Sequence, residues 1–411
     1  MISASIVLTF TNLLTGMLGY IYQILMGRNL SPLEFGAFSA IMAAFMFASS
    51  PLGAVMMILS RRVTELSVLC EREKIFQLLK KSYIVFICAA IALFFAGYFF
   101  TDKLGIIFKV NDDYVIYAFF ALLAANFFFV INNSFFQGLK HFNFLAVTAL
   151  SSISMKILFS LILIYVGCGI FGAIAGGVVS LIFIVFSGIY LIYKRINSIP
   201  ISSNNNNDGN WLSLNSIIPV LVANVAFAGM TQLDMVIVNH MFSTGSAGVY
   251  AAASVLGKAI LYIPGGIVLA LFPYVAEKHA NNLSSNVILI QSLFAAFVCC
   301  GFAAMLYWFF SDYLIVFLYG DAYADASKLL AWYGLAIMPM ALVLVVEHYL
   351  IAKKEVLFTW LFLIFAPVQV LLIYYFSTNL VSVIFIFGAS GFALLILGLL
   401  LLLKRSYKTA E

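Results

Sequence analysis

Charge is scarce in this 411-residue chain. Lys, Arg, Asp and Glu make up 9% of it, against 64% hydrophobic residues. A soluble domain needs a polar skin over its core, so this composition excludes one and points to repeated apolar stretches that cross a bilayer. Short segments of strict apolar–polar alternation are missing, which excludes a transmembrane barrel. The five cysteines, Cys70, Cys88, Cys168, Cys299 and Cys300, form neither a disulfide framework nor a metal spacing. No G-x-x-x-x-G-K-[ST] loop occurs. The Gly257-Lys258 pair lacks the rest of that motif, so ATP is not the direct energy source on this chain. H-E-x-x-H, G-x-S-x-G and paired-carboxylate constellations are absent as well. The chain is therefore read as a non-enzyme with no metal and no cofactor.

What is there is an all-α integral membrane protein. Twelve spans are expected, at 2–27, 34–59, 82–101, 114–136, 144–166, 171–193, 214–240, 248–275, 286–310, 327–351, 356–376 and 380–403. The run from Ile2 is too long for a signal peptide and lacks a basic leader. The 21 Lys and Arg set the orientation. Arg28, Lys103 and Lys109 fall on one side, Lys156, Lys258 and Lys328 lie within or at the edge of spans, and the other fifteen fall on the opposite side. Basic residues stay inside, so both termini are expected on the cytoplasmic side of the membrane.

One stretch organises the rest. Gly248 to Glu277 reads as a span with Lys258 ten residues in. At helical rise that is roughly 15 Å, about half of a hydrocarbon core of roughly 30 Å. A lysine there costs on the order of 2.5–3.5 kcal/mol, which makes it a functional-site candidate. Pro264, Gly265 and Gly266 are expected to break or bend the helix. The stretch also has an echo earlier in the chain. At one constant offset, Gly36, Ala40, Gly53, Leu59, Val63 and Glu65 fall on Gly248, Ala252, Gly265, Leu271, Val275 and Glu277. Two similar halves follow: an N-terminal lobe 1–198, a polar linker 199–212 around Ser-Ser-Asn-Asn-Asn-Asn, and a C-terminal lobe 213–411. Six spans per half give both lobes the same orientation, hence a pseudo-twofold axis along the membrane normal and a cavity between them.

Several polar residues are candidates to line that cavity. In span 1, Asn12, Thr15 and Tyr22 share a helical face, which suits either close helix packing or a wet wall. Lys156 lies about twelve residues into span 5, and no Asp or Glu lies deep in the first six spans to pair with it. Asn224, Thr231 and Asp234 share a face of span 7. Ser254, Lys258 and Tyr262 step by four along span 8. Asp234 and Lys258 are either a mutually neutralising structural pair or part of a site. Arg61, in a basic amphipathic segment from Arg61 to Lys81, is expected on a surface helix drawn to anionic lipid, with a substrate role as the alternative. Glu347 and His348 are read as an interfacial cluster beside Lys353 and Lys354.

Two motifs carry a family resemblance. One is the span 1–2 junction with its Leu-Ser-Pro-x-Glu-Phe-Gly turn, Leu30 to Gly36. The other runs from Leu233-Asp234-x-x-x-Val238 through Ala247-Gly-x-Tyr-Ala-Ala-Ala253 to Phe272-Pro273. Gln137-Gly138 and Asp321-Ala-Tyr-Ala324 fit the same pattern. The chain resembles the polysaccharide biosynthesis (Wzx-type) flippases, of the superfamily that includes the MATE exporters and the lipid II flippase. The resemblance implies a MATE/MOP-like bundle in two pseudo-twofold-related six-helix lobes, opening alternately to either side. It implies a substrate oligosaccharide on undecaprenyl pyrophosphate, supplied to surface polysaccharide synthesis such as O-antigen or capsule. Proton or sodium coupling and contact with a polysaccharide polymerase would be further partners, and nucleic acid would not. Asp234 and Lys258 match the motif as cavity residues. The alternative function is a cation-coupled exporter of drugs or metabolites, although span 1 holds no acidic residue to couple.

Overall fold

The computed structural model describes residues 2–199, 214–280, 286–353 and 357–408, and every regular element among them is a helix. The chain forms two compact units, Met1–Leu221 and Val222–Glu411. The first contains α1 (Ile2–Asn29), α2 (Pro32–Ser49), α3 (Leu52–Val68), α4 (Arg72–Phe108), α5 (Asp113–Gly138), α6 (Phe142–Tyr165) and α7 (Gly169–Asn197). The division falls inside α8 (Leu214–Met241). Then come α9 (Thr244–Gly257), a 3-10 turn Lys258–Tyr262, α10 (Ile263–Ala280), α11 (Asn286–Tyr319), a short 3-10 turn Asp321–Tyr323, α12 (Ala326–Ala352), α13 (Leu357–Phe376) and α14 (Leu380–Lys408).

The echo read from the sequence extends to the whole element order. The offset that carries Gly36 onto Gly248 carries Ile2 and Asn29, which bound α1, onto Leu214 and Met241, which bound α8. It carries Pro32, which opens α2, onto Thr244, which opens α9, and Val68, which ends α3, onto Ala280, which ends α10. The remaining pairs, α4–α11, α5–α12, α6–α13 and α7–α14, follow in order. The turn chemistry repeats with them. Ser31 caps α2 in a capping box with Glu34, whose Oε2 accepts from the Ser31 backbone at 3.0 Å, and Pro32 sits in the first turn. Ser243, the repeat counterpart of Ser31, caps α9 by accepting from the Ser246 backbone. The Ser-Pro-x-Glu motif is thus a helix start, with its first N–H groups satisfied and a proline where none is needed.

Eleven segments among the described residues are long and apolar enough to span a membrane. The twelfth expected span, α1, forms a 28-residue helix. Large apolar side chains cover the outside. On α4, Phe95 is 64% and Phe99 75% exposed; on α11, Phe294 is 69% and Phe309 73% exposed. In water such a surface would aggregate, whereas lipid tails solvate it. The protein is a multi-pass membrane protein.

Within the first unit α5 is central, packing on α3, α4 and α7, and α6 packs on both α7 and α1. At one end Val63, Leu66, Ile75, Ile131, Phe135 and Ile192 form a buried apolar cluster joining α3, α4, α5 and α7. Gly138 at the end of α5 has no room for a side chain, because a Cβ would meet Val63 and the Ser60 carbonyl on α3. In the second unit α12 takes the central place, against α9, α10, α11 and α14.

Two expectations about local structure are corrected. The basic segment Arg61–Lys81 is not a separate surface helix. Its first part continues α3 to Val68 and its second is the start of α4, leaving only Leu69–Glu71 as a turn. The 37 residues of α4 reach about 55 Å at helical rise, well beyond a bilayer core, so the basic turns are overhang of a span. Span 8 does break, but at Lys258 rather than at the Pro264–Gly266 group. The expected linker lies outside the described residues apart from Ile199, as does Lys354.

Candidate functional site

Asp234 lies midway along the second half of α8 and is 1% exposed. An isolated carboxylate could not stay ionised there, since burying an unpaired charge costs several kcal/mol. Its oxygens are instead filled by three donors. Lys258 Nζ donates to Oδ1 at 2.9 Å, and the Tyr250 and Tyr333 hydroxyls donate to Oδ2 at 2.8 and 2.9 Å. Tyr250 comes from α9 and Tyr333 from α12, and both are 0% exposed. Their rings meet edge to face with centroids 5.9 Å apart. Glycine is required at 257 because a Cβ there would run into the Tyr333 ring. The result is a closed network of one carboxylate, one ammonium and two phenols.

Lys258 reaches Asp234 from the first residue of the 3-10 turn. That turn also corrects the expected face. A 3-10 helix has 3.0 residues per turn, so a step of four no longer brings Tyr262 under Lys258. Ser254 is 2% and Tyr262 59% exposed, so Ser254, Lys258 and Tyr262 do not form one wall.

The first unit carries a different arrangement. Lys156, in the middle of α6, is half-buried, and its ammonium lies 4.1 Å from the centroid of the Tyr22 ring on α1. Tyr22 is 1% exposed, and its hydroxyl donates to the Ala173 carbonyl of α7 at 2.9 Å, which holds the ring in place. Ser160, one turn beyond Lys156, donates to the same carbonyl at 2.8 Å. The lysine stem runs over Gly177, where a Cβ would lie 3.5 Å from its Cε. Among the described residues Lys156 makes no ion pair. A cation–π contact returns about 2 kcal/mol at best. The insertion cost is on the order of 2.5–3.5 kcal/mol, so the ring does not fully compensate the charge.

The other expected residues are dispersed. Asn12 is exposed, and Thr15 donates to the Thr11 carbonyl at 2.8 Å. Thr231 is buried and donates to the Phe227 carbonyl at 2.8 Å, a helix-internal bond. Asn224 is half-buried. The Arg61 side chain is 72% exposed and pairs with Glu65 at 3.2 Å, a surface contact of little energy. Glu347 is 4% exposed on α12, and His348 Nδ1 contacts the Leu344 carbonyl at 2.9 Å. Sequence reasoning missed Tyr250 and Tyr333 as partners of Asp234. Tyr250 stands inside the Ala-Gly-x-Tyr motif; nothing local marks Tyr333.

Solved structures of several membrane transporters share this fold. The lipid II flippase MurJ in an inward closed conformation matches with TM-score 0.72 at 17% identity, covering 97% of this chain and 87% of that one. An inward-facing MATE-family multidrug resistance transporter of the MOP superfamily matches with TM-score 0.73 at 14% identity, covering 94% and 93%. A MOP-superfamily transporter from Pyrococcus furiosus matches with TM-score 0.63 at 14% identity, covering 99% and 96%. At such identities the likeness is one of fold, and the fold is that of the MOP superfamily. A search of curated proteins finds no match. The family model described as polysaccharide biosynthesis protein matches residues 2–279, more than half of the chain and both lysine sites. The chain belongs to the polysaccharide biosynthesis protein family.

Proposed function

We propose that this protein is a flippase that moves an undecaprenyl-pyrophosphate-linked oligosaccharide from the inner to the outer leaflet of the bacterial cytoplasmic membrane by alternating access. The observation that carries this reading is Lys156, a half-buried mid-span ammonium seated on Tyr22 without a carboxylate. A pyrophosphate crossing a bilayer needs cations along its way, and an ammonium serves as a point charge for it. Family membership supplies the link to polysaccharide synthesis. The excess of basic residues on one side supports cytoplasmic termini. The test is the sidedness of the lipid-linked oligosaccharide in a depletion strain, read with a membrane-impermeant sugar-modifying reagent. Accumulation on the inner face, reversed by the intact gene, is expected. Unchanged amount and sidedness would refute the reading.

A cation-coupled exporter is the second reading, and one observation favours it. Glu347 is buried and makes no ion pair among the described residues. Such a carboxylate suits uptake of a proton or a sodium ion. Asp234 suits it less, because three donors already occupy its oxygens. Drug hypersensitivity of a deletion strain with normal surface polysaccharide would select this reading.

A further inference from the structure

The end of the first unit where α7 finishes carries cations that make no ion pair among the described residues. No Asp or Glu occurs between Asp113 and Asp208, so α6 and α7 contain none, and α5 has only the one in its first turn, at its opposite end. At this end lie Lys140 and His141 in the α5–α6 turn and Lys194 and Arg195 in the last turn of α7. Of the carboxylates on neighbouring helices, Glu65 pairs with Arg61 and Arg62 and Glu71 with Lys74, while Glu73, in the first turn of α4, makes no ion pair among the described residues. Lys140, Lys194 and Arg195 are exposed and make no ion pair among the described residues.

Arg195 is also oriented. Its guanidinium lies 5.3 Å from the Phe144 ring centroid. Phe144 is clamped in turn, stacked on Phe136 at 5.8 Å and edge-on to His141 at 5.9 Å. A guanidinium held over a ring by its charge still has N–H groups to offer a ligand, in the fork that matches a phosphate. His141 responds to the same field: burial, and after it the Arg195 charge, hold its pKa below the ordinary histidine value. The 29 residues of α7 reach about 43 Å, longer than a hydrocarbon core of roughly 30 Å, which gives its basic last turn the length to reach the headgroups.

We propose that Arg195, held over Phe144, binds the phosphate of an anionic phospholipid of the surrounding leaflet, with Lys140 and Lys194 at the same end of the unit adding positive charge. The site is separate from Lys156 and does not depend on what the protein carries. Phosphatidylglycerol supplies one such phosphate, while the headgroup of phosphatidylcholine cancels its own charge.

The test is native mass spectrometry of the purified full-length protein with phosphatidylglycerol or phosphatidylcholine added at equal concentration. Phosphatidylglycerol adducts should exceed phosphatidylcholine adducts. Arg195→Gln should reduce them about fivefold, the worth of one cation near a membrane surface. Lys140→Gln should produce a similar loss, which guards against misfolding of one variant. Arg195→Lys should retain part of the binding. Lys103→Gln, at the other end of α4, should leave it unchanged. Equal adducts of the two lipids in the wild type, or full binding by Arg195→Gln, would overturn the proposal. Displacement of phosphatidylglycerol by millimolar inorganic pyrophosphate would also overturn it, by showing a general phosphate site rather than a lipid site.

Discussion

Tyr22 and Asp234 occupy the same position in two repeated helices, α1 and α8, and each holds a lysine. In the first unit the lysine is Lys156, from α6, and its ammonium lies on the Tyr22 ring. In the second it is Lys258, from the end of α9, and its ammonium meets the Asp234 carboxylate at 2.9 Å. The neighbours of the two residues correspond as well. Phe38 packs against Tyr22 with ring centroids 5.9 Å apart, and Tyr250, the repeat counterpart of Phe38, donates to Asp234. One charge is thereby neutralised and the other is left available.

Lys156→Ala should lower surface polysaccharide about tenfold, equivalent to ~1.4 kcal/mol of binding. The amount of protein in the membrane should not change, because the lysine supports no ion pair. Quantitative immunoblotting beside a polysaccharide assay separates the two effects. Wild-type polysaccharide in this strain would remove Lys156 from the transport path.

Asp234→Asn should destabilise the protein by roughly 3–5 kcal/mol, because it leaves the Lys258 ammonium buried without a counter-charge. Asp234→Asn combined with Lys258→Met should recover most of that loss, as thermal unfolding in detergent would show. Export by the stable double variant then has a direct meaning. Normal export makes the pair structural, whereas lost export assigns Lys258 to the substrate.

Gly257→Ala should cost about 1–3 kcal/mol, since the new methyl displaces the Tyr333 ring and with it a donor to Asp234. Gly266→Ala should be neutral or mildly stabilising, because a Cβ there meets nothing within 4 Å and alanine favours the helix. Unfolding temperatures of the two variants, measured side by side, check the contrast.

Stability should fall as the pH drops through the ordinary histidine range. The folded pKa of His141 is held low by burial and by Arg195, so the unfolded chain binds a proton that the folded one resists. The destabilising contribution is absent above the unfolded pKa and grows as the pH falls toward the folded one. His141→Gln should flatten this part of the stability–pH curve.

Much of this was legible in the sequence. The periodic apolar stretches mark the spans, since lipid admits only helices with internally paired backbones. The echo between Gly36–Glu65 and Gly248–Glu277 extends to the whole element order, because a duplicated sequence keeps its caps and breaks in register. Ser31 and Glu34 are readable as a helix start because a capping box is local. The pairing of two tyrosines with one carboxylate was not readable, because Tyr333 lies 99 residues from Asp234 and packing alone brings them together. The face shared by Ser254, Lys258 and Tyr262 failed for a local reason: periodicity assumes an α-helix, and this turn is tighter.

By itself the sequence determined a helical membrane protein built twice, with lysines at mid-span, because composition, periodicity and repetition are properties of the chain alone. The tertiary structure decided which lysine is neutralised. Asp234, Tyr250 and Tyr333 converge with Lys258, whereas α1 offers Lys156 only an aromatic face. Charge compensation depends on distances of a few ångström between separate helices, and no spacing along one helix encodes them.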